Sequence, residues 1–297
     1  VSLRLALAQY PVGAPKDWAC YAGKLRAWAA EAAASGAELL VWPEYAAMEL
    51  AAMFPPAVQQ DLALQLSALQ TLLPDYLALH AAIAQEHRLH LLSGSFPTQT
   101  ADGSFVNRCY FFAPSGRFAT QDKQIMTRFE REQWGVSRGE GLTVFDTALG
   151  CIAVNICYDV EFPLLARAQV AAGALLILAP SCTDTTAGYW RVRLGAQARA
   201  LENQCLVAQC PLVGEAAWSA AVDVNVGRAG VFAPPDRGLP DDGVLALGEW
   251  NQAQWLYTTL DLTAISKVRQ QGQVLNHRDW AEQGVDALPQ VARIPLV

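Results

Sequence analysis

The chain has 297 residues, 53% of them hydrophobic and 16% charged, with a net charge of -7. This composition supports a sizeable buried core and excludes long disorder, and the acidic balance excludes a nucleic-acid or anionic-membrane partner, because both demand a basic face. The longest apolar run, "VAAGALLILAP", is too short and too interrupted to span a bilayer, so the protein is expected to be soluble and cytoplasmic.

Residues 3–9 alternate apolar and polar side chains, which predicts a strand, and the Ala-rich stretch 16–34 has helical spacing that ends near Gly36. "AELLVWPE" reads as a buried strand stopped by Pro43. A long helical tract is expected from about 46 to 88, broken at Pro55-Pro56 and Pro74, followed by the strand "LHLLSGSF". A hairpin spans 104–123 around a Pro-Ser-Gly turn, and 121–141 is irregular and charged. A second hairpin, 142–157, turns at Leu149-Gly150 and delivers the chain to Cys157. Helix 162–172, strand "ALLILAPS", helix 187–203 and strand "QCLVAQC" follow. Three strands close the chain, "AGVFAPP", "GVLALGE" and "QWLYTTLDL", with a helix near 263–271 and a patternless tail over 272–297. No linker or fixed-period repeat divides this run. It predicts a single α/β domain over 1–297, with a mixed sheet covered by helices.

Seven cysteines, an odd number with no Cys-x-x-Cys pair, do not form a disulfide or zinc framework. The phosphate-binding, dinucleotide-binding and H-E-x-x-H motifs are absent. Of four histidines, His80, His87 and His90 crowd one helix-to-strand stretch, where a solvated helix end explains them better than a metal site. Cys157, in "NICYDVEFP", is therefore either a small core residue or a nucleophile that lacks the usual histidine base. A thiol with a pKa near 8.5 is only a few per cent ionised at neutral pH, so a nucleophile here needs another proton acceptor. Two stretches offer partners. Glu44 lies just past a buried strand in "LLVWPEYA", where a carboxylate is costly unless used or paired, and Lys123 ends a hairpin strand in "ATQDKQIM". Singly, Glu44 could cap a helix and Lys123 could be a surface charge. Together, thiol, carboxylate and ammonium each sit at the carboxyl end of a predicted strand, where α/β folds build their sites.

"VWPEY", "DKQ" and "NICYDVEFP", in this order, resemble the Glu-Lys-Cys signature of the nitrilase superfamily of carbon-nitrogen hydrolases. "RLALAQYPV", "RALENQCLVAQC" and "LYTTLDLTAISKVR" resemble its flanking segments, so the likeness covers nearly the whole chain. The resemblance implies a four-layer α-β-β-α sandwich, homodimers stacked across one helical face, and neither metal nor organic cofactor. By position it implies Glu44 as general base, Lys123 as electrostatic stabiliser, Cys157 as nucleophile and the Tyr158 backbone N–H as an oxyanion donor. The family often carries a second glutamate at a fixed distance before a glycine. Counting back from Gly139 selects Glu132 rather than its rival Glu130.

The activity implied is hydrolysis of a small non-peptide amide through a cysteine thioester. A nitrilase or acyl transferase using the same triad is the alternative, and a silent binding protein on the same fold is a third. Tyr158-Asp159 after the nucleophile resembles the amidase branches. Glu161 stands where branches acting on carboxylate-bearing substrates often place Arg, which points to a neutral or cationic substrate, although Arg128, Arg191 or Arg193 could supply a clamp. Trp134, Cys182, Tyr189 and Trp190 lie near predicted strand ends and are candidate pocket residues, with core or dimer packing as the alternative for the aromatic ones.

Overall fold

The computed structural model describes residues 2–284 and 293–294. β1 (Ser2–Pro11) starts with alternating burial and becomes fully buried where it lies between two neighbours. α1 (Trp18–Ala34) begins at Asp17, whose carboxylate accepts from the Cys20 N–H at 2.8 Å. After β2 (Leu39–Val41), the expected long helical tract resolves into a 3-10 stretch, Ala46–Met53, and three helices, α2 (Pro56–Gln59), α3 (Leu62–Leu69) and α4 (Leu73–His87). Pro56 and Pro74 lie in first turns, where an N–H has no intrahelical partner to lose, so these prolines start helices.

The two hairpins form as read: β3 (His90–Gln99) leads into β4 (Phe105–Phe112) and β5 (Phe118–Asp122), and, beyond a two-residue β6 (Val136–Ser137), β7 (Val144–Thr147) pairs with β8 (Gly150–Val154). Then come α5 (Pro163–Ala171), β9 (Leu176–Ser181), α6 (Thr186–Asn203) and β10 (Leu206–Glu215). The closing part holds β11 (Val224–Asn225), β12 (Gly230–Phe232), β13 (Val244–Leu247), β14 (Gln254–Asp261) and α7 (Leu262–Gln271). The tail, expected to lack pattern, forms α8 (Asn276–Asp279) and a short turn, and the Arg167 guanidinium stacks 4.9 Å from the Trp280 ring to dock it on α5. Most of the remaining tail lies outside the described residues.

The strands form two sheets of the same design. In one the order is β5-β4-β3-β2-β1-β14, in the other β7-β8-β9-β10-β12-β13. Each centres on three parallel strands with antiparallel neighbours on both sides. The sheets join where β1 meets β10 at Tyr10–Leu212 and Pro11–Val213. Elsewhere they pack face to face: Phe111 of β4 stacks on Phe145 of β7 at 4.9 Å, and the Cys210 thiol of β10 reaches the Ala8 and Val41 carbonyls. Helices cover the outer faces. Trp255 of β14 donates to the Trp28 carbonyl of α1, Tyr76 of α4 donates to the Ser93 carbonyl, and Gln169 of α5 accepts from Asn155 just past β8. The result is the α-β-β-α sandwich, with strands buried on both faces as parallel sheets require.

Candidate active site

The parallel strands deliver three side chains to one edge. Trp42-Pro43 carries the chain from β2 to Glu44. Beneath this turn runs Gly94 of β3, at φ +75, where a Cβ would stand 2.1 Å from the Pro43 carbonyl oxygen. Only glycine permits that approach. Tyr45 follows at φ 58, its N–H donating to Ser95 Oγ at 2.9 Å. β5 is antiparallel to β4, as β4 is to β3, so β5 runs with β2 and Lys123 leaves the sheet at the same edge as Glu44. From the second sheet, Asn155-Ile156 joins β8 to a 3-10 turn, Cys157–Glu161, which Cys157 opens at φ 49. A left-handed conformation is uncommon outside glycine and clusters at functional sites. At this site it occurs at Cys157 and at Tyr45, and among the described residues it recurs at Arg88 and Gln204, which end helices, and at Asn251.

The Lys123 ammonium donates to Glu44 Oε1 at 2.8 Å and to Glu130 Oε2 at 2.7 Å, all three side chains being buried. Glu130 also accepts from Thr127 N–H and Oγ1, both at 2.9 Å, and from Tyr45 Oη at 2.7 Å. Asn107 bridges the carboxylates, donating to Glu44 at 2.9 Å and Glu130 at 3.1 Å. The glutamate beside Lys123 is therefore Glu130, and the count that selected Glu132 fails. Glu132 points to solvent and takes a two-pronged bond from Arg128, at 2.9 Å each. The physical reason is a π-helical turn, Glu130–Trp134, which buries its first and last residues and turns Glu132, two positions on, to the opposite side. Gly135 and β6 then intervene before Gly139, so distance to that glycine does not measure distance to the site.

The environment separates the two carboxylates. Burial, reinforced by the Glu130 charge and only partly offset by Lys123, raises the Glu44 pKa. Burial works against the Glu130 charge as well, yet Lys123, Tyr45 and Thr127 outweigh it and hold Glu130 below the ordinary range. Burial also disfavours the ammonium, but Glu130 and Glu44 keep Lys123 firmly protonated. Burial and then the Glu44 charge push the Cys157 thiol up, so it rests protonated. Two carboxylates driven apart in this way take different parts: one that exchanges protons and one that stays a fixed anion.

Asp159 ties the parts together. Its carboxylate accepts from the N–H of Gln124, next to Lys123, at 3.1 Å, from Ile125 at 2.8 Å and from Ile156, next to Cys157, at 3.2 Å. Burial lifts this group to about 7 against those bonds and the Lys123 charge.

A cavity of about 540 Å³ opens onto Glu44, Lys123 and Cys157 and includes Tyr158, Trp134, Cys182 and Glu161 in its lining. Tyr189 and Trp190 do not line it. Thr185 caps α6, which turns Tyr189 into the core against Trp250 at 4.8 Å and leaves Trp190 largely at the surface. Arg193 stacks over Trp190 at 4.8 Å, away from the cavity, whereas Arg128 and Arg191 stand at its wall. Sequence reading missed Tyr45, Asn107 and Asp159. Asn107 had a visible signal, a polar residue inside the apolar strand "FVNRCYFF". Among the described residues no three His, Cys, Asp or Glu side chains group as metal ligands would, and His80 bonds the Tyr76 carbonyl in the core.

The family model for carbon-nitrogen hydrolases matches residues 4–270. The chain belongs to the carbon-nitrogen hydrolase family. Among carbon-nitrogen hydrolases and related proteins, it is 30% identical over 277 residues to the probable hydrolase YhcX of Bacillus subtilis, covering 93% of this chain and 53% of that one. It is 28% identical over 205 residues to the mouse omega-amidase NIT2, covering 66% of this chain and 70% of that one. The chain spans about half the length of the first curated relatives it matches. Its fold matches that of Saccharomyces cerevisiae Nit3, a member of the nitrilase superfamily, with a TM-score of 0.71 at 21% identity, over 91% of this chain and 93% of that one.

Proposed function

We propose that this carbon-nitrogen hydrolase is an amidase that cleaves a small, non-peptide amide through a thioester on Cys157. The observation that carries the reading is one cavity onto which a buried thiol, a buried carboxylate of raised pKa and an ammonium fixed between two carboxylates all open. Glu44 accepts the thiol proton as Sγ attacks the carbonyl carbon. Charge developing on the carbonyl oxygen is received by the Lys123 ammonium and the Tyr158 N–H, preorganised donors of the kind worth about 10²–10³ in rate each. Glu44 returns the proton to the departing ammonia or amine, then activates the water that hydrolyses the thioester. Glu130 serves by holding Lys123 charged and in place.

The omega-amidase relative supports the amide assignment. Exposed Leu164 on α5 with Leu194 and Leu201 on α6 offers an apolar outer face for pairing two copies. No helix among the described residues is long and apolar enough to cross a membrane, and seven free thiols suit the reducing cytoplasm. Hydrolysis of a panel of small amides by the wild type, lost in Cys157→Ala with the fold intact, tests the reading. Unchanged turnover in that variant would refute it.

A further inference from the structure

One carboxylate in the cavity has no part in the chemistry above. Glu161 lines the same cavity as Cys157, and its side chain is 22% exposed. Among the described residues its carboxylate accepts no hydrogen bond. Its ion pair is a long one, 3.8 Å to the Arg191 Nε, on a side chain that is itself 62% exposed. A half-buried carboxylate left with such weak compensation is costly, and a bound cation relieves that cost. Burial raises its pKa, with Arg191 and Lys123 offsetting only part of the effect.

The rest of the wall points the same way. Asp184 and Asp223 also line the cavity, are exposed, and form no ion pair among the described residues. Arg128, the other cation at the mouth, is occupied by Glu132. A cleft whose uncompensated charge is of one sign concentrates ligands of the other, and the Trp134 and Tyr45 rings, 4.8 Å apart, add faces that favour cations.

We infer that this cavity selects small amides that carry a protonated amine, with Glu161 receiving the ammonium and displacing Arg191. The inference rests on the amidase reading. Cys157 and Glu161 begin and end one 3-10 turn and line the same cavity, which puts thiol and carboxylate within reach of one small substrate. The amine is therefore joined to the amide carbonyl by a short spacer.

Three nearly isosteric amides test it: 4-aminobutanamide, pentanamide and succinamate. The wild type is expected to prefer the amine over the alkyl amide by about 10- to 100-fold in kcat/KM, the range for a charge-assisted bond, and to use succinamate least. Glu161→Gln is expected to lower the ratio of amine to alkyl turnover at least about tenfold, and Glu161→Arg to shift preference toward succinamate. Equal use of the amine and alkyl amides by the wild type, or a Glu161→Gln variant in which both fall by the same factor, would overturn the inference alone. Failure of all three amides to react would overturn the amidase reading and this inference with it.

Discussion

Replacing Glu130 by Gln separates the observed network from the one the sequence spacing suggests. The carboxylate accepts five bonds: from Lys123, from Thr127 twice, from Tyr45 and from Asn107. An amide has one acceptor end. If it faces Lys123 and Thr127, its NH2 meets Asn107 Nδ2, a donor. Asn107 can flip to present its Oδ1, which has no partner now, but then it loses its bond to Glu44. The ammonium, left with one carboxylate, is drawn onto Glu44 and quenches the base. Breaking a buried ion pair costs about 3–5 kcal/mol, and the retained Glu44 contact argues for the lower end, about 3 kcal/mol. At about 2 °C per kcal/mol for a chain of this size, Tm falls about 6 °C. Loss of Lys123 as a positioned donor lowers kcat about 10²–10³-fold. Glu132→Gln, by contrast, breaks a solvent-exposed pair with an Arg128 side chain that is 89% exposed, and should leave Tm within about a degree and kcat intact. Thermal unfolding and steady-state kinetics on both variants decide the matter. An active Glu130→Gln, or an inactive Glu132→Gln, would refute the assignment.

Gly94→Ala places a methyl 2.1 Å from the Pro43 carbonyl at a positive φ, and should cost about 2–4 kcal/mol in denaturant unfolding and displace Glu44 enough to abolish most turnover. The pH profile of kcat/KM should follow Glu44, which must be ionised to accept the thiol proton. Burial raises its pKa, so activity falls as pH drops through a value above the ordinary 4.5, while Lys123, held above 10.5, adds no basic limb below that value. Rates measured from about pH 4 to 9 check this, and an acid limb at or below 4.5 would contradict it. Asp159→Asn sets an NH2 group against backbone donors on one side of the carboxylate. It should lower stability by about 1–3 kcal/mol and lower kcat more than it raises KM, because the Lys123 and Cys157 segments lose their shared anchor.

Much of this was written into the sequence. Alternation marked β1, and the Glu44, Lys123 and Cys157 stretches stood at strand ends because a parallel sheet exposes its carboxyl edge to solvent and ligand. What failed was local. A π-helical turn has no composition signature, so Glu130 and Glu132 were indistinguishable by type. The inward face of α6 depends on where Thr185 caps it, a one-residue matter that turns Gly188 and Arg191 toward the cavity and leaves Tyr189 and Trp190 out of it. Pro74 reads as a breaker until the helix start is known. Asp159 is invisible by spacing, because two of its three partners are backbone N–H groups 34–35 residues away.

The central claim is that Cys157 carries the acyl group. Acid quenching of the wild type during turnover of a reactive amide traps the thioester, which should leave an adduct detectable by intact mass and mapped to Cys157 by peptide digestion. An adduct on Cys182 instead, or amide turnover that persists in Cys157→Ala, would contradict the account.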